Sequence, residues 1–202
     1  MSQGRSRRWP RFLIVGSLSL ALVGAVSPTA SAQGASGAAL VARLSAATDP
    51  AVAFAEMSPT EQQLVQERLQ VARFINETPV VTRRDGGFGT LSGGCWGVTW
   101  GRSAYSTMGI ELFSLKVRID WCGNGSTLTS VQRTRWPETY VPCYSGTISQ
   151  DPQWGGVGQW SYRSFVQADF SFVCPPIGGH WFPWLDMTAT AAGGMSGSGG
   201  GT

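Results

Sequence analysis

One stretch constrains the fold more than any other. From Phe113 the odd positions read Phe113, Leu115, Val117, Ile119 and Trp121, and the even ones Ser114, Lys116, Arg118 and Asp120. Side chains alternate between the two faces of a strand, so this segment predicts a strand with one dry face and one wet one. Cys122-Gly123-Asn124-Gly125 closes it, with Asn-Gly suited to the positive φ of a tight turn. Thr127 to Arg135 reads as the returning strand, ended by Trp136-Pro137 because proline cannot donate to a ladder.

A second alternation follows Gly155-Gly156-Val157-Gly158. Trp160, Tyr162, Val166, Ala168, Phe170, Phe172 and Cys174 share the apolar side, opposite Ser161, Arg163, Gln167, Asp169 and Ser171. Its length predicts a bulge near Ser164-Phe165, and Pro175-Pro176 ends it. Trp184 to Ala191 reads as a last strand. Antiparallel strands with Gly, Pro and Asn-Gly turns predict a mainly β fold, an antiparallel β-sandwich of immunoglobulin-like or open-barrel type.

An α-helical segment precedes the strands. Ser58-Pro59-Thr60-Glu61 has the residues of a capping box, with proline at the first helical position. Behind it, Leu64, Val65, Leu69, Ala72 and Ile75 recur near helical spacing, which predicts an amphipathic helix over residues 58–77. Such a stripe needs a cover. It packs on the rest of the chain, or it docks another protein through Leu64, Val65, Leu69 and Ala72. Residues 33–57 read as an Ala/Gly-rich tether with a short helix, 78–192 as the β domain and 193–202 as a flexible Gly/Ser tail.

Residues 1–32 have the parts of a secretory signal: Arg5, Arg7, Arg8 and Arg11, an apolar stretch from Phe12 to Val26, and Ala30-Ser31-Ala32 as a cleavage site. The apolar stretch falls short of the ~20 residues a membrane-spanning helix needs, so no stable membrane insertion is expected. Four of the 15 Lys and Arg lie in this segment and none of the 12 Asp and Glu. The chain after Ala32 is therefore almost neutral, which removes the case for a nucleic-acid partner.

Cys95, Cys122, Cys143 and Cys174 make an even number in an exported chain, which implies two disulfides. Of the three possible pairings, Cys95–Cys122 with Cys143–Cys174 is expected, because each pair would flank a hairpin. Closing loops of about 30 residues stabilises by ~3–4 kcal/mol each in the chain-entropy model.

No phosphate-binding loop, nucleophile elbow or zincin motif occurs, and the sequence implies no cofactor and no metal. A hydrolase would depend on His180, the one histidine, or on carboxylates among Glu111, Asp120, Glu138 and Asp169 that converge on one cleft. Tryptophan is the stronger clue. Trp121 and Trp160 are expected on dry faces, whereas Trp136, Trp154, Trp181 and Trp184 stand beside Pro or Gly at strand ends. Exposed indoles stack on the apolar faces of sugar rings, so these four are the candidate ligand-binding residues.

Several phrases carry a resemblance. Asp49-Pro50, Ser58-Pro59, Cys95-Trp96, Asp120-Trp121-Cys122-Gly123-Asn124-Gly125-Ser126, Gly158, Trp160-Ser161-Tyr162-Arg163 and Pro183-Trp184-Leu185-Asp186-Met187-Thr188 together resemble a group of small secreted actinobacterial proteins without an assigned activity. The resemblance implies export and a disulfide-bonded β domain, of a kind that serves as a small subunit of a secreted assembly. The function expected is a secreted, non-catalytic binding or assembly module that contacts another secreted protein or a cell-wall glycan. The alternative is a small glycosidase-like hydrolase. Thiol titration of the purified protein under non-reducing conditions should find no reactive cysteine; four titratable thiols would contradict this reading.

Overall fold

The computed structural model describes residues 36–84, 93–174 and 178–201. The expected signal segment and the Pro175-Pro176 stop lie outside them. Three short helices come first: α1 (Gly37–Ala46), α2 (Pro50–Ala55) and α3 (Pro59–Leu69). Each begins where a side chain satisfies otherwise orphaned N–H groups. The Asp49 carboxylate accepts from Ala51 and Val52 N–H at 2.9 and 3.1 Å, and Ser58 and Glu61 form the reciprocal capping box. Where the tether was expected over 33–57, the described residues 36–57 form a packed layer instead, with Leu40, Leu44 and Phe54 buried in the core.

The helix expected over 58–77 ends at Leu69. Gln70 is extended, and β1 (Val71–Asn76) follows at once. Val71, Phe74 and Ile75 are residues that fit a pleated surface, and Ala72 and Ile75 extended the helical stripe only because their spacing runs on from Leu69. Val65 and Leu69 point into the core, so the helix is covered by its own chain.

Two antiparallel sheets without barrel closure make up the rest. The first holds β1, β2 (Val80–Arg84), β3 (Gly94–Ser106), β4 (Glu111–Gly123) and β5 (Leu128–Thr139), in the order β1-β3-β4-β5 with β2 also paired to β3. The second holds β6 (Tyr144–Gln150), β7 (Gln153–Gly155), β8 (Ser161–Phe172), β9 (His180–Trp181), β10 (Trp184–Thr190) and β11 (Met195–Gly200). Its order is β11-β10-β8-β6, with β7 and β9 also paired to β8. The dry faces meet in one core, where Phe113 of β4 stacks on Phe170 of β8 with ring centroids 4.2 Å apart. Among the described residues no helix is long and apolar enough to cross a membrane.

The disulfides are Cys95–Cys122 and Cys143–Cys174, closing separations of 27 and 31 residues. Cys95 and Cys122 are direct cross-strand partners on β3 and β4. Two such bonds are characteristic of an oxidising compartment.

Four further expectations change. β5 runs through Trp136-Pro137 to Thr139, which is tolerated because β5 is a sheet edge and a missing N–H there leaves no central ladder broken. β8 is continuous, without a bulge at Ser164-Phe165. Ser164 keeps the inward phase and accepts from Arg133 Nη1 at 2.9 Å, and Arg133 also pairs with Asp151 at 2.6 Å. Trp160 precedes β8 and is exposed.

The Gly/Ser tail is the edge strand β11, with Met195–Gly200 paired to β10. Its glycines answer to packing: a Cβ at Gly197 would lie 2.4 Å from the Trp100 ring, and one at Gly200 would lie 2.6 Å from the Trp184 ring. Gly197→Val should therefore destabilise the fold by about 1–3 kcal/mol, as overpacking does. Chemical denaturation checks this, and an unchanged midpoint would mean that β11 contributes no packing.

Candidate functional site

The wet face of the second sheet gathers the aromatic and hydrogen-bonding groups that a ligand surface needs. Register fixes its rows. Trp154 on β7 stands opposite Arg163, Arg163 opposite Thr188, and Thr188 opposite Ser196. The next row is Phe165, Asp186 and Ser198, and the third is Gln167, Trp184 and Gly200. These are the outward positions of β8, β10 and β11, whose inward neighbours Val166, Leu185 and Met187 are fully buried.

Contacts within the rows hold the side chains in place. The Arg163 guanidinium grips Asp186 with two hydrogen bonds, Nε to Oδ1 at 2.9 Å and Nη2 to Oδ2 at 2.6 Å, a planar match of fork to carboxylate. Those bonds raise the Arg163 pKa further, and the attraction of the Asp186 charge adds to the effect. The same guanidinium lies 5.0 Å from the centroid of the Trp154 ring, which is 49% exposed. Trp184 lies over Gly200, where no side chain lifts it from the sheet, and it stacks on Phe165 at 5.8 Å with 25° between the planes. A shallow depression of about 360 Å³ is lined by Arg163, Asp186, Thr188, Ser196, Gly197 and Ser198.

The four tryptophans singled out by sequence do not form one platform. Trp154 and Trp184 share this face. Trp136 is on the wet face of the first sheet, where its Nε1 donates to Glu138 Oε1 at 3.0 Å. Trp181 is half-buried on β9 and packs on Phe113 and Tyr144. The helical stripe divides as well: Val65 and Leu69 are fully buried, Leu64 is 38% exposed, and Ala72 is exposed on β1.

The carboxylates are dispersed over two sheets. Asp120 is gripped by Arg118 at 2.8 and 2.9 Å. Glu138 accepts from Lys116 Nζ at 2.6 Å and from the Tyr140 hydroxyl, which also meets Ser114 Oγ at 2.9 Å. Hydrogen bonds from Lys116 and then Tyr140 lower the Glu138 pKa, outweighing burial. A general acid needs the opposite shift, because it must hold its proton at working pH. Asp169, on the wet face of the second sheet, meets His180 Nδ1 at 2.8 Å, and Glu111 stands opposite Tyr105 across β3 and β4. Among the described residues, no group of three or more His, Cys, Asp or Glu gathers as a metal site.

Sequence reasoning missed Arg163, Asp186 and Phe165 as parts of the site. The signal was present, since Arg163 and Asp186 hold outward positions of two alternating strands; what was absent was the register that sets them side by side. Compared with known protein families, characterised proteins and solved structures, the chain and its fold match none.

The Glu138 shift gives a pH prediction. Because the folded pKa is lowered, the stabilisation is present above the usual glutamate range near 4.3 and is lost as pH falls through the folded value. Denaturation midpoints measured downward from about pH 6 should therefore fall less steeply for Glu138→Gln than for the wild type. Parallel curves would show that the Lys116–Glu138 pair adds nothing.

Proposed function

We propose that the protein is an exported, non-catalytic binding module whose second sheet contacts a cell-surface glycan through its wet face. One observation carries this reading: Trp184 lies low over Gly200, stacked on Phe165 and beside the Arg163–Asp186 pair, with Trp154 two rows away on the same face. Low rings offer stacking surface to the apolar face of a sugar, and the neighbouring Thr188, Ser196 and Ser198 offer hydroxyls. The charges are matched within the face, which suits a neutral polyhydroxylated ligand better than an anion. The depression is shallow, so the side of a polysaccharide chain fits better than a chain end.

Export is supported by the signal-like residues 1–32 and by the two disulfides. It is also what the resemblance to small secreted actinobacterial proteins implies. A docking role for α3 has less support, since Val65 and Leu69 of its stripe are already covered. The hydrolase alternative is weakened by the ion-paired state of Glu138 and by the separation of the other carboxylates between the two sheets.

Co-sedimentation with insoluble peptidoglycan, chitin and cellulose tests the proposal. The wild type should be retained by at least one of them. Trp184→Ala and Trp154→Ala should each weaken retention roughly ten-fold, the loss of about 1.4 kcal/mol of stacking. Trp136→Ala should leave it unchanged. Retention by none of the three, or equal retention of the Trp154 and Trp184 variants, would overturn it.

A further inference from the structure

The opposite corner of the second sheet holds a cavity of about 450 Å³, within the ~300–1,000 Å³ range of small-molecule sites. Its two sides differ in chemistry. One is aromatic: Tyr144, Phe172 and Trp181, with Tyr144 5.5 Å from Trp181 and meeting Phe172 edge-on at 5.2 Å. The other is a polar stripe from α3 and the residue that follows it, comprising Gln63, Gln66, Glu67 and Gln70.

That stripe has the i, i+3, i+4, i+7 spacing of a single helix face. A helix face turned toward aromatic rings is ordinarily apolar, and the neighbouring residues Val65 and Leu69 obey that rule. The polar stripe stands at the cavity's rim instead, where Gln63, Glu67 and Gln70 are exposed and Gln66 is half-buried. Gln63 Nε2 donates to Glu67 Oε1 at 2.9 Å, but Gln66 Nε2 is buried without a partner. Gln66 Nε2 lies too deep for a ligand in the cavity to reach, so the accessible amides are those of Gln63 and Gln70.

The cavity is also preformed. The Tyr144 hydroxyl donates to the Leu69 carbonyl at 2.6 Å, pinning the aromatic side to the end of α3. Tyr144 and Phe172 are cross-strand partners, and the Cys143–Cys174 disulfide ties the ends of the two segments that carry them.

We propose that this cavity is a second ligand site that takes a single neutral pyranose ring. Tyr144 and Trp181 receive its apolar face. The exposed amides of Gln63 and Gln70, which both donate and accept, receive its hydroxyls. Neither Lys nor Arg is among the described lining residues, so phosphate-bearing ligands lack a counter-charge. The site stands apart from the sheet-face surface and does not depend on it.

Amide NMR spectra of the intact, disulfide-bonded protein test the assignment, with glucose, galactose, mannose and N-acetylglucosamine added separately. At least one sugar should give saturable shifts of the Trp181 indole N–H, identified through Trp181→Phe, and of the Gln63 and Gln70 side-chain amides. Gln70→Ala removes an exposed lining amide, so it should keep the melting temperature while weakening the sugar roughly ten-fold. Trp184→Ala should leave these shifts in place, which separates this site from the sheet face. The absence of saturable shifts with all four sugars, or undiminished binding by a folded Gln70→Ala, would overturn the inference.

Discussion

The stack of Phe113 on Phe170 is where the two sheets become one body. Phe113 also meets Phe74 from β1, Tyr144 from β6 and Trp181 from β9, so one ring ties four other strands to β4. With that stack in place, the phase of β4 and β8 is fixed. A one-residue slip of either strand would turn its dry set outward. Everything a partner can touch on the second sheet follows from that phase: Arg163, Phe165 and Gln167 face water because Ser164, Val166 and Ala168 face the core. The cavity follows too, since Trp181 leans on Phe113 and Tyr144 and thereby forms an aromatic wall.

The covalent and helical parts hold this arrangement at its ends. Cys95–Cys122 joins two strands already paired, whereas Cys143–Cys174 fixes the corner beside the cavity. The helices seal the other side of the core through Leu40, Leu44, Phe54, Val65 and Leu69. Asp49 and Ser58 set where the second and third of these helices begin, and Gln70 sets where the chain turns extended.

What was legible in the sequence was what depends on neighbours along the chain. The alternation from Phe113 to Trp121 gave β4 and its dry face, and the Ser58–Glu61 box gave the start of α3. The two-sheet fold and both disulfides followed from strands, turns and hairpin-flanking cysteines. What was hidden depends on partners far away. Met195–Gly200 read as a loose tail because glycine usually marks flexibility; here the rings of Trp100 and Trp184 demand the space. The length of the second alternation read as a bulge near Ser164-Phe165, whereas Ser164 stays in phase and meets Arg133 of the other sheet. Ala72 and Ile75 read as helix because periodicity alone cannot register that β3 offers a ladder to pair with. In the candidate site, Trp154 and Trp184 were legible as exposed aromatics, while Arg163–Asp186 and the glutamine stripe against Trp181 became visible only with register and packing.

We propose the wet face of the second sheet as the working surface; the wet face of the first sheet carries the ion pair of Lys116 and Glu138. The most direct test is a structure of the protein bound to a soluble oligosaccharide cut from whichever polysaccharide retains it. The account predicts sugar rings lying across Trp184 and Phe165, with hydroxyls on Arg163, Asp186 or Ser198. An oligosaccharide seated on the Trp136 face or along α3, with Trp184 untouched, would contradict it.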